Sequence, residues 1–291
     1  MAETALAATL SHCALAVHDL DQAVSTYERL FGMRVGERGH NPWGHFRWAQ
    51  MGWAGEQAIQ LIQPESDDTH VTRVMRARAS EKNPHGEGYY ISVWTTPDPV
   101  ALAARIESTG GRAIDRGDGS GVHWVHPSAA HGAFMEIVPE KSPKPEGTPL
   151  RISHLGVAVA DLDEAEETFR RRFGWIRPRD RWVLESGDFE AASIFAGDVQ
   201  AMTLMHPRSE ESPIAAEMRR RADEKNPRGE GPHISVWTSP DTAAVAERIE
   251  AGGGRVIRTS GWPGAGSMLI PPSVTHGMLM EVTPQSPEPG H

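Results

Sequence analysis

The chain has 291 residues, 38% of them hydrophobic and 23% charged, a composition typical of a globular protein with room for two cores. Its 39 acidic and 29 basic residues leave a formal charge of −10, which argues against a nucleic-acid partner, and no apolar run approaches the ~20 residues that a membrane-spanning helix needs. A single cysteine, Cys13, precludes an intrachain disulfide and reads as a buried thiol; with an opening segment that lacks a basic leader, this makes the cytoplasm the expected location.

Along the chain, an alternating strand over Cys13 to Val17 is followed by an Asp-capped helix over Asp21 to Leu30 and three short strands ending near Ile62. A helical connection over Thr69 to Lys82 leads to a strand over Tyr89 to Thr95. A helix over Asp98 to Ser108 comes next, stopped by Gly110-Gly111, and three more strands end on Glu136-Ile137-Val138. Each set is a βαβββ module. The polar segment from Pro139 to Pro149, whose prolines forbid regular hydrogen bonding, reads as an exposed linker.

Beyond that linker the sequence starts again. Ser11 to Asp21 matches Ser153 to Asp163, and the helix that follows closes on Phe-Gly both times, at Phe31-Gly32 and Phe173-Gly174. Glu-Lys-Asn-Pro-x-Gly-Glu-Gly stands at 81–88 and at 224–231, identical at seven of eight positions, and leads each time into Ile-Ser-Val-Trp-Thr. The Pro and Gly of that motif suit a helix stop and turn, and Trp94 and Trp237 alternate with Ile and Val as core residues would. His131 to Ile137 returns as His276 to Val282. The expected organisation is a first domain over 8–140, a linker over 141–150, a second domain over 151–285 and a tail over 286–291.

The His-x-x-x-x-Val-x-Asp-Leu-x-x-Ala openings at His12 and His154, the Gly-Glu-Gly strand entries and the closing Met-Glu pairs resemble the vicinal oxygen chelate superfamily. That superfamily includes glyoxalase I, methylmalonyl-CoA epimerase, extradiol dioxygenases and bleomycin-resistance proteins. The resemblance covers nearly the whole chain, with loop lengths most similar to methylmalonyl-CoA epimerase. It implies an α+β fold of two tandem domains, each of paired βαβββ modules forming an open β-barrel around a divalent metal.

Carried over position by position, the resemblance implies metal ligands His154, His233 and Glu281 in the second domain, with Thr203 at the remaining ligand position. In the first domain it implies weaker candidates, His12, Gln60 and Glu136, with Tyr90 where a second imidazole is expected. Two imidazoles and a carboxylate suit Fe2+, Zn2+, Mn2+, Co2+ or Ni2+ and leave positions open for substrate oxygens; a neutral phenol is a poor ligand. The implied substrate is a small molecule with adjacent oxygens, and a homodimer is left open.

The expected chemistry is that of an isomerase, epimerase or lyase acting on an α-carbonyl substrate through a metal-stabilised enediolate, with Glu190, His276 or Glu281 as candidate proton carriers. An Fe(II) extradiol dioxygenase is the first alternative, weakened because Tyr27, Tyr89 and Tyr90, the only tyrosines, all precede the second domain. A non-catalytic small-molecule binder is the second. The basic runs Arg73, Arg76, Arg78, Lys82 and Arg219, Arg220, Arg221, Lys225, Arg228 read as solvated helix faces.

Overall fold

The computed structural model describes residues 6–140, 148–184, 187–258 and 266–285. Most of the expected linker and all of the expected tail lie outside them. In the first repeat, strand β1 (Thr9–Ala16), helix α1 (Leu20–Phe31) and strands β2 (Arg34–Asn41), β3 (Phe46–Trp53) and β4 (Glu56–Pro64) make one βαβββ module. Helix α2 (His70–Arg78) leads to the next: β5 (Gly88–Thr96), α3 (Pro99–Ser108), β6 (Ala113–Asp115), β7 (His123–Val125) and β8 (Met135–Pro139). The second repeat runs β9 (Arg151–Ala158), α4 (Leu162–Thr168), β10 (Trp182–Val183), β11 (Phe189–Ala196), β12 (Val199–Pro207) and α5 (Pro213–Arg221). It closes with β13 (Gly231–Ser239), α6 (Thr242–Ala251), β14 (Ile257–Arg258), β15 (Met268–Ile270) and β16 (Leu279–Pro284).

Each repeat forms one eight-stranded mixed sheet, in the order β2-β3-β4-β1-β5-β8-β7-β6 and, correspondingly, β10-β11-β12-β9-β13-β16-β15-β14. Both sheets end in edge strands, so neither closes into a barrel: the fold class is as expected, with curled open sheets. Contacts group the chain into two compact units, each drawing on both repeats. One takes Met1–Cys13, Tyr90–Pro143 and His154–His233; the other takes Ala14–Tyr89, Lys144–Ser153 and Ile234–His291.

Local chemistry explains why the same module recurs four times. Every module opens its helix with an aspartate whose carboxylate accepts a backbone N–H three residues on: Asp19 from Gln22, Asp98 from Ala101, Asp161 from Glu164 and Asp241 from Ala244. Gly32 and Gly174 end the first helix of each repeat in the left-handed conformation, φ 67° and 72°. In the second repeat that helix finishes as a π-turn, Phe169–Phe173, whose two phenylalanines pack with Trp175.

The repeated Ser-Val-Trp segment also has a physical reading. Residues two apart on a strand share a face. The fully buried indoles of Trp94 and Trp237 donate to Ser92 and Ser235 at 2.8 and 2.9 Å, which lets a polar N–H enter the core satisfied. Both tryptophans are core, as read from the sequence, and Cys13 is a buried thiol whose pKa burial drives upward.

In the second compact unit Tyr27, fully buried on α1, donates its hydroxyl to the Thr275 carbonyl at 2.9 Å. Tyr27→Phe is expected to cost about 1 kcal/mol, read by urea denaturation, because the buried carbonyl loses a donor. An unchanged midpoint would show that the bond contributes nothing.

Candidate metal centre

His154 lies on β9, half-buried, and its Nε2 stands 3.1 Å from Thr203 Oγ1 and 3.2 Å from Gln200 Nε2 on β12. Burial pushes its imidazole down to about 4, so the ring is neutral near pH 7 and keeps a lone pair to offer a cation. His233, half-buried on β13, is likewise pushed down to about 4, by burial first and then by the Arg221 guanidinium.

Glu281 stands on β16 with 2% of its surface exposed. Its Oε2 is buried without a hydrogen-bond partner, and desolvation raises the carboxyl to about 8. A buried carboxylate oxygen with nothing to bind is costly and calls for a counter-charge.

The corresponding positions of the first repeat differ in kind. His12 is buried, with Nδ1 3.1 Å from Ser11 Oγ. Tyr90 is half-buried edge-on to Phe134, and burial pushes its phenol up to about 12, further from a ligating phenolate. Gln60 faces Gln50 in the β3–β4 pairing.

Glu136 is already paired. Trp124 lies opposite it in the ladder and donates its indole N–H to Oε1 at 3.2 Å, with the Arg116 guanidinium 3.7 Å away. In the second repeat the residue opposite Glu281 is Leu269, which has no donor to give. A tryptophan and an arginine satisfy one glutamate; a leucine leaves the other orphaned.

The donor chemistry of His154, His233 and Glu281 therefore fits a divalent cation residue by residue. Among the described residues, however, no group of three or more His, Cys, Asp or Glu side chains is gathered closely enough to hold one.

Two of the candidate proton carriers are placed away from that chemistry. Glu190 pairs with His206 across β11–β12, and strand alternation turns it to the face opposite Ser193, the residue level with Thr203. The ring Nδ1 of His276 donates to Glu87 Oε2 at 2.8 Å, which commits that side chain to a largely buried hydrogen bond.

That pair has a twin. His131 Nδ1 donates to Glu230 Oε2 at 2.7 Å, with the two side chains 7% and 10% exposed. In each pair the glutamate's other oxygen accepts a backbone N–H, from His18 to Glu87 at 2.7 Å and from Ala160 to Glu230 at 2.8 Å. Burial alone would raise both carboxyls, but the histidine and amide donors hold them below the usual range.

Both histidines sit at positive φ, 48° and 54°, and a Cβ on the glycine after either would lie 2.1 Å from the carbonyl of the paired glutamate. The Gly-Glu-Gly motif, read from the sequence as a turn, is the acceptor half of a clasp between repeats. The only sequence signal was that His-Gly and Gly-Glu-Gly both occur twice.

The basic runs are likewise more than solvated faces. Arg78 and Arg221 turn inward to the Tyr89 and Gly231 carbonyls at 2.7 and 3.1 Å.

Comparison with known proteins agrees with this architecture. Residues 9–145 and 153–270 each match a model of the Glyoxalase/Bleomycin resistance protein/Dioxygenase superfamily. A stretch of 140 residues, 45% of this chain, is 31% identical to 96% of an ethylmalonyl-CoA/methylmalonyl-CoA epimerase from Cereibacter sphaeroides. Among solved structures, a triple mutant of 4-hydroxymandelate synthase from Streptomyces coelicolor superposes with a TM-score of 0.72 at 15% identity, over 98% of this chain and 95% of that one. Methylmalonyl-CoA epimerase from Mycobacterium tuberculosis matches 50% of this chain and 95% of its own at 27% identity, with a TM-score of 0.40. With both repeats matched and the sheet order of each the same, the chain belongs to the glyoxalase, bleomycin-resistance and dioxygenase superfamily as a tandem member.

Proposed function

We propose that the second repeat binds one divalent cation through His154, His233 and Glu281, and that the protein is an isomerase, epimerase or lyase acting on an α-carbonyl substrate. The observation that carries this reading is the orphaned, buried Oε2 of Glu281, set against a first repeat in which the equivalent carboxylate is satisfied by Trp124 and Arg116. A cation bound there would supply Lewis acidity to two adjacent substrate oxygens as a proton leaves the carbon beside a carbonyl.

The protein's own groups do the rest. Burial keeps His154 and His233 neutral, so neither must shed a proton to serve as a ligand near pH 7. In the metal-free chain Thr203 and Gln200 both meet the His154 ring at Nε2. Glu281, which burial raises to about 8 in the metal-free chain, would be ionised as a ligand and would take up a proton only on leaving the ion; in that role it is the candidate proton carrier. The likeness to an acyl-CoA epimerase over one repeat length supports carbonyl substrates over catechols.

Elemental analysis of untagged protein purified without chelators should find about one divalent ion per chain, and the metal-loaded protein should exchange the α-proton of carbonyl substrates with deuterium from solvent. Iron accompanied by oxygen uptake on catechols would replace this reading with ring cleavage. Absence of metal after reconstitution would leave ligand binding in its place.

A further inference from the structure

We infer that Gln200 is a ligand of the second-repeat cation, taking the place that Gln60 holds in the first repeat; this rests on the metal-binding reading above. The two strand pairings establish which residues correspond. In the first repeat Gln50 pairs with Gln60, Met51 with Ile59 and Gly52 with Gln57, so Ala58 is skipped. In the second, Ser193 pairs with Thr203, Ile194 with Met202 and Phe195 with Gln200, so Ala201 is skipped. Thr203 thus stands where Gln60 does, and Gln200 where Gln57 does, on either side of the same bulge.

Threonine at 203 is too short to reach where a glutamine carboxamide would. A bulge inverts strand alternation, so residues 200 and 203, three apart, project to the same side. The structure shows this directly: Gln200 Nε2 lies 2.9 Å from Thr203 Oγ1, 3.4 Å from Ser193 Oγ and 3.2 Å from His154 Nε2. Its first-repeat counterpart behaves otherwise, since Gln57 Nε2 is buried with no hydrogen-bond partner. Where the ligand position shrank to threonine, the glutamine across the bulge has swung its carboxamide onto the imidazole instead.

The carboxamide converges on Nε2 of the His154 ring. Two donors at about 2.1 Å from one ion, in adjacent coordination positions, lie about 3 Å apart, close to the separation seen here. A half-turn of the amide exchanges its nitrogen and oxygen in nearly the same space. In the metal-free chain the NH2 group faces the imidazole; with an ion bound, the carbonyl oxygen would be the atom to offer, as a neutral donor suited to a hard or borderline dication.

The test is Co2+ binding to the purified full-length chain, measured by competition with a chromophoric chelator and by the visible absorption of the bound ion, without any activity assay. Gln200→Ala is expected to weaken Co2+ at least about tenfold and to change the absorption band, and Gln200→Glu to bind at least as tightly as wild type. Thr203→Gln added to Gln200→Ala is expected to recover most of the lost affinity. If Gln200→Ala and Gln200→Glu both bind Co2+ with wild-type affinity and an unchanged band, Gln200 merely props the free imidazole and the inference is overturned while the metal site stands. Wild-type protein that takes up no Co2+ overturns both. Circular dichroism of each variant guards against misfolding, and the near-isosteric Gln200→Glu keeps the test decisive if the alanine variant does not fold.

Discussion

Glu230→Ala should destabilise the protein by about 3 kcal/mol, the lower end of the effects expected when one partner of a buried charged pair is removed. The carboxylate accepts both the His131 Nδ1–H and the Ala160 N–H, so its loss leaves a buried imidazole and a backbone donor without acceptors. It also removes what holds the strained His131 loop at φ 48°. For a protein of this size the cost corresponds to a fall in Tm of about 6–12 °C, measurable by calorimetry.

The pH dependence carries a sign. The folded-state pKa of Glu230 is lowered, so its contribution is complete above the unfolded value of about 4.3 and is lost as pH falls through the lower folded value. Wild type should therefore lose stability below about pH 4.3, and Glu230→Ala should lose less over the same interval. A cost under about 1 kcal/mol, or acid limbs of equal slope, would show the pair to be incidental.

Glu281→Gln should act in opposite directions on binding and on stability. Removing a charged ligand is expected to weaken divalent metal by at least about 100-fold, beyond what outer-shell substitutions typically cost. The metal-free chain should become more stable at pH 8 by more than about 1 kcal/mol, because burial has raised Glu281 to about 8 and the ionised form has no partner. A group whose folded pKa is raised favours folding while protonated and loses that contribution as pH climbs from the unfolded value to the folded one. A neutral amide does not titrate, so the gain should vanish toward pH 4. Paired denaturation curves at pH 4 and pH 8, with and without metal, check both halves, and a variant destabilised at pH 8 without metal would refute the account of Glu281.

These predictions differ in how far they could have been reached from residues alone. The modules were legible, because the helices read over Asp21 to Leu30 and Asp98 to Ser108 return with the repeat in the second half, and Ile-Ser-Val-Trp twice marks a core strand. The buried glutamate was legible only as a motif position; that it is orphaned depends on Leu269 standing opposite where the first repeat has Trp124.

The clasps were hidden by distance, since their partners lie 99 and 189 residues apart and each half alone reads as an ordinary turn. Gln200 was hidden by parity. Counting alternate residues back from Thr203 puts it on the wrong face, and only the skipped Ala201 reverses that. The same parity, with no bulge to reverse it between Glu190 and Ser193, sends Glu190 away from the face where it was expected.

The two clasps also set an order of events during synthesis. The pair of His131 and Glu230 can close once the ribosome has released the chain a little past Glu230, because everything in its compact unit lies at or before His233. The pair of Glu87 and His276 must wait for nearly the whole polypeptide, leaving the first repeat's carboxylate without its imidazole for most of translation. Long-range closures of this kind slow folding, as contact order predicts. A nascent chain stalled where the residues through His233 have left the ribosome but His276 has not should thus carry one unit resistant to protease and the other still open to it, although each contains residues from both repeats.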